Sequence, residues 1–112
     1  MRPFVFRGVA SALLVLFATA AHAQFDTGSV TGTVRDASGA VVPDAKVTVT
    51  STSTGVSLTQ TTNGSGVYEL VTVRPGTYVV TAEKAGFSIA LVENVELQVA
   101  ARLRVDLQMQ TG

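Results

Sequence analysis

The chain has 112 residues, with eight basic and eight acidic side chains, one histidine and no cysteine. Balanced charge of this kind excludes a grip on nucleic acid, which needs a surplus of Lys and Arg along one face. The lack of cysteine excludes disulfide stapling and thiol chemistry, so the fold must be held by packing and hydrogen bonds.

The first element is a leader. Arg2 and Arg7 precede an apolar stretch from Val9 to Ala18, and Ala21-His22-Ala23 stands before Gln24. A charged start, an apolar middle and small residues at the end are the three parts of a secretory signal peptide. Cleavage is expected between Ala23 and Gln24, so residues 1–23 read as a helical signal peptide. A retained anchor is the alternative, but the apolar run is short against the ~20 residues that span a bilayer, and no other segment is a membrane-span candidate. Cleavage leaves 89 residues, the size of one domain, with six basic against eight acidic side chains. Residues 24–27 lack periodicity and read as a short flexible lead; the domain is expected over residues 28–110.

Strand signals begin at Gly28, where Val30, Gly32 and Val34 share one face and Ser29, Thr31 and Thr33 the other. Asp36-Ala37-Ser38-Gly39 turns the chain, since Asp bonds the backbone ahead of it and Gly accepts positive φ. Pro43 opens a second run, in which Ala45, Val47 and Val49 alternate with Lys46, Thr48 and Thr50. After Thr54-Gly55 a weaker strand covers Val56 to Thr62. Asn63-Gly64-Ser65-Gly66 is then expected to close a hairpin into Val67 to Val71, with Tyr68 and Leu70 on one face.

Arg74-Pro75-Gly76 turns the chain again, Pro presetting φ and Gly supplying what other residues resist. Tyr78, Val80 and Ala82 are expected inward on the strand Thr77 to Glu83, and Phe87 follows Ala85-Gly86 as a core anchor. Glu93-Asn94 reads as a bend or bulge between Ile89 to Val92 and Val95 to Val99. On the last strand Leu103, Val105, Leu107 and Met109 alternate with Arg102, Arg104, Asp106 and Gln108. No helical spacing occurs outside the leader, so about seven strands in two sheets bury these faces as an all-β Greek-key sandwich. Alternation fixes faces and leaves the strand order open.

The ordered pieces GSVTGTVRDASG, PDAKVTV, GVYEL, PGTYVV and GF resemble the carboxypeptidase regulatory-like domain family. Asp44 and Asn63 depart from the Gly and Asp frequent there, both in turns. The resemblance covers Gly28 to Met109 and implies an antiparallel transthyretin-like sandwich within the carbohydrate-binding-like folds. It further implies an address: such domains precede TonB-dependent outer-membrane receptors in bacteria. The expectation is an exported domain, periplasmic, outer-membrane associated or secreted, whose partner is an outer-membrane receptor or other envelope protein. No barrel sequence follows Gly112, so a detached receptor front and a domain acting alone are both open. A carbohydrate-binding module is the rival reading.

Reaction chemistry is sparse. The one histidine, His22, lies in the leader, which leaves the domain without imidazole or thiol for nucleophilic catalysis or an ordinary zinc site. No catalytic residue, cofactor or metal is therefore expected. The histidine-dependent hydrolases of the transthyretin-like fold end in a Tyr-Arg-Gly-Ser type signature, which the ending Leu107 to Gly112 lacks. Glu93 and Glu96, three residues apart, point to opposite faces of an extended strand unless a bulge intervenes, and are read as solvated surface. Asp36 is turn chemistry, not the start of a calcium loop. By alternation Lys46 is expected outward, and the last strand offers Asp106 without an Asn, so an isopeptide bond is not expected. Phe25, Tyr68, Tyr78 and Phe87 are the candidates for a sugar-stacking platform, with Tyr68, Tyr78 and Phe87 assigned to the core by their spacing.

Overall fold

A computed structural model describes residues 27–112; the leader and the Ala23-Gln24 cleavage site lie outside the described residues. Eight strands form two sheets: β1 (Gly28–Asp36), β2 (Lys46–Ser51), β3 (Ser57–Thr61), β4 (Val67–Val73), β5 (Gly76–Glu83), β6 (Ala90–Leu97), β7 (Arg102–Arg104) and β8 (Leu107–Met109). One sheet has the order β4-β1-β7, with β8 also paired to β1; the other runs β3-β2-β5-β6. Their inward faces meet as the alternation predicts. Val30, Val34, Tyr68, Val73, Leu107 and Met109 from the first sheet pack with Val47, Val49, Tyr78, Val80, Ala82, Val95 and Leu97 from the second. The core is an all-β sandwich rich in valine, whose branched side chain suits the pleated surface.

The Asn63 turn departs from expectation. β3 pairs with β2 while β4 pairs with β1, so residues 62–66 form a corner that carries the chain from one sheet to the other, not a hairpin. Thr62 causes the departure. Its buried hydroxyl donates to the Val42 carbonyl at 2.8 Å and accepts the Ala45 N–H at 2.9 Å, which ties the end of β3 beneath the loop before β2. Asn63 Oδ1 then accepts the N–H groups of Ser65 and Val67 and bends the chain across. At this seam Gln60 Oε1 accepts the Glu69 N–H at 2.6 Å, capping an edge donor that another chain's strand would otherwise take.

The last strand also differs. It keeps the predicted faces but runs parallel to β1, and it breaks at Val105-Asp106 into β7 and β8. Every other pairing is antiparallel. Across the break the Thr33 N–H donates to Asp106 Oδ1 at 2.8 Å, where a regular parallel ladder would offer the Val105 carbonyl.

The expected bulge at Glu93-Asn94 is present. The β5–β6 register shifts between Val80↔Val92 and Tyr78↔Val95, and Asn94 has φ 56°. A second bulge lies at the end of β4, where Val30 pairs with Leu70 and Gly28 with Val73, and Thr72 has φ 62°. Asp44 has φ 58°, which explains glycine as the frequent residue of the resembled pattern; Asp adopts this region more readily than most side chains.

Candidate functional site

Two connections meet at one end of the sandwich. β2 ends at Ser51 and returns to β3 through residues 52–56, a turn closed by Gly55 N–H to Ser51 C=O at 2.9 Å, with Gly55 at φ 76°. Ser51 Oγ accepts the Thr54 N–H at 3.3 Å, and the Thr52 N–H donates to the Thr77 carbonyl at 3.0 Å. Opposite this turn, β4 leaves its sheet past Thr72 and crosses through Arg74-Pro75. An open cleft of about 470 Å³ lies between them.

Val56, Leu58, Pro75 and Tyr78 form the apolar wall of the cleft; Ser51, Ser53, Thr54 and Thr72 supply hydroxyls, and Arg74 a guanidinium. Val56 is 61% exposed although apolar, Leu58 is half-buried, and Tyr78 is buried with its hydroxyl donating to the Arg74 carbonyl at 2.5 Å. That bond locks the loop through the backbone and leaves the exposed Arg74 side chain to solvent. Among the described residues no carboxylate lies within ion-pair distance of it. Thr72 is a β-branched residue in the left-handed region, an arrangement that costs energy and that clusters at functional sites.

The residues singled out from the sequence are scattered. Tyr68 is 1% exposed and its hydroxyl donates to the Val105 carbonyl, while Phe87 is half-buried against the core. Phe25 lies outside the described residues. Among the described residues the aromatic rings therefore form no stacking platform. Glu93 and Glu96 are both exposed, as the bulge between them allows. Lys46 is exposed, opposite Thr61 and Glu83. Asp36 caps its own turn: Oδ1 accepts the Ser38 hydroxyl at 2.6 Å and the N–H groups of Ser38 and Ala40. These bonds, the Ser38 hydroxyl foremost, hold its carboxyl below the usual carboxylate range.

Asp106 has a similar structural duty. Desolvation opposes its charge, but the Thr33 N–H, Arg104 at 3.1 Å and the nearby Arg35 more than offset this and keep its carboxyl below the usual range. The cleft itself was missed from sequence. The one available signal was Val56, an apolar residue at the end of a polar turn; nothing in the sequence marks Thr72 as strained.

Fold and cleft together describe a two-sheet all-β sandwich with an open cleft at one end. The chain belongs to the carboxypeptidase regulatory-like domain family, which matches residues 29–110. It is 43% identical over 70 residues to the chitinase ChiA of Flavobacterium johnsoniae, a stretch covering 62% of this chain and 4% of that enzyme. Among solved structures it resembles a Bacteroides uniformis protein described as carbohydrate-binding, with a TM-score of 0.58 and 21% identity over 73% of this chain and 40% of that one. It also resembles catechol 1,2-dioxygenase of Acinetobacter radioresistens, with a TM-score of 0.61 and 12% identity over 80% of this chain and 53% of that one. At such identity these two likenesses concern the fold alone.

Proposed function

We propose that the protein is a non-catalytic, exported β-sandwich module that contacts a protein partner at the bacterial outer membrane, in the manner of the domains in front of TonB-dependent receptors. The lining of the cleft carries this reading. Its hydroxyls stand beside an arginine and an apolar wall, with no imidazole, thiol or carboxylate among the lining side chains to act as base. Such a surface binds without making or breaking bonds. The leader supports export, and family membership over residues 29–110 supports a module that serves a larger assembly.

The test is expression of the full chain in a Gram-negative host with a C-terminal tag. The expected product begins at Gln24 by mass, fractionates with the envelope and recovers one outer-membrane protein reproducibly from detergent extract. An uncleaved cytoplasmic product, or recovery of background proteins alone, sinks the proposal. Carbohydrate binding is the second reading, favoured by the fold shared with the Bacteroides uniformis protein and by the match to a segment of a chitinase. Glycan-array binding that competes with soluble oligosaccharide would place it first.

A further inference from the structure

We infer that the cleft receives a protein segment in which an apolar side chain stands next to a carboxylate; the inference rests on the partner-binding reading and names what that partner presents. Val56 is the first reason. A hydrogen-bonded turn holds this valine 61% exposed, and with Leu58 and Pro75 it makes a wall suited to an aliphatic group. Arg74 is the second. Its guanidinium offers a planar fork of donors that matches a carboxylate, and among the described residues no acidic group answers it.

Thr72 ties the two together. It lines the cleft at φ 62° in the β4 bulge, so the strained residue and Arg74 border the same space. A sugar fits less well. The ring of Tyr78 is buried and its hydroxyl is already bonded to the loop, so a pyranose finds no exposed aromatic face to stack upon. The volume, about 470 Å³, suits one side chain and its flanking backbone.

The experiment is titration of the ¹⁵N-labelled protein with N-acetyl-leucine, N-acetyl-leucinamide and glucuronate. N-acetyl-leucine is expected to shift the amides of Thr54, Val56, Leu58 and Thr72. The amide probe should bind about tenfold more weakly or worse, as should the acid with Arg74→Ala, because each removes a charge-assisted hydrogen bond. Arg74→Lys should recover part of the affinity. The folding transition of Arg74→Ala should be unchanged, since only the Arg74 carbonyl, not its side chain, holds Tyr78. Equal shifts with acid and amide, shifts elsewhere on the sandwich, or indifference to Arg74→Ala overturn the inference, as does tighter binding of glucuronate, which assigns the cleft to acidic sugars. An outer-membrane partner held equally well by Arg74→Ala removes the cleft from the contact and leaves the partner reading standing.

Discussion

The hydroxyl of Tyr68 donates to the carbonyl of Val105 at 2.5 Å, although Tyr68 on β4 and Val105 at the break between β7 and β8 flank β1 from opposite sides. Gly32, the register partner of Tyr68, makes the reach possible. A β-carbon at Gly32 would lie 1.9 Å from the Val105 oxygen and 3.0 Å from the Tyr68 ring. The tyrosine thus takes the acceptor that Thr33 would have used, the carboxylate of Asp106 substitutes for it, and the last strand divides into β7 and β8.

Removal of the hydroxyl by Tyr68→Phe leaves a buried carbonyl without its donor and is expected to cost about 1–3 kcal/mol in urea unfolding, with the fold retained. Gly32→Ala forces the same carbonyl away and should cost at least as much. Because both changes act on one oxygen, their combined effect should fall short of the sum; full additivity would show that the bond and the glycine are unrelated.

The pH dependence follows from the same group of residues. Asp106 and Asp36 have lowered pKa values, so their stabilisation is present above the ordinary carboxylate value near 3.8 and is lost as pH falls through the still lower folded values. Asp106→Asn keeps an acceptor for the Thr33 N–H but no titrating charge, so its stability should fall less steeply below about pH 4 than that of the parent. An identical acid slope would refute the assignment. Burial, aided by the Asp106 charge, raises the phenol of Tyr68, so its contribution is complete below about pH 10 and is lost as pH climbs beyond that, an alkaline limb that Tyr68→Phe should lack.

Thr72→Gly relieves a β-branched residue at φ 62° and is expected to stabilise the domain by about 1 kcal/mol, after allowance for the added freedom of glycine in the unfolded chain. A domain of this size should then melt several degrees higher. Asn94→Gly, at φ 56°, should gain less, because asparagine tolerates this region. Equal gains at the two positions would remove the case for strain at Thr72.

Thr62→Val preserves shape but deprives the Ala45 N–H and the Val42 carbonyl of their buried partner, at an expected cost of about 2–3 kcal/mol. Thr62→Ser should recover most of it. Chemical denaturation of the pair separates the hydroxyl's role from that of the methyl group, and an equally damaging serine would mean that packing dominates this corner.

The sequence by itself determined what is local. The period of two assigned Val47, Val49, Tyr78, Val80 and Ala82 to the core, the turn after Asp36 followed from the aspartate's hydrogen bonds and the φ freedom of Gly39, and the Glu93-Asn94 bulge followed from the irregular alternation around it. Strand partnership was decided only by the tertiary structure, because ladder bonds join backbone groups that are the same at every residue. Thus Asn63 has the look of a hairpin turn yet serves as a corner, once Thr62 is tied to Val42 and Ala45. The last strand alternates without interruption yet lies parallel to β1 and breaks where Tyr68 takes the Val105 carbonyl. The cleft is of the same kind: Val56, Thr72 and Arg74 become neighbours only when the sandwich closes and brings the 52–56 turn against the crossing after β4.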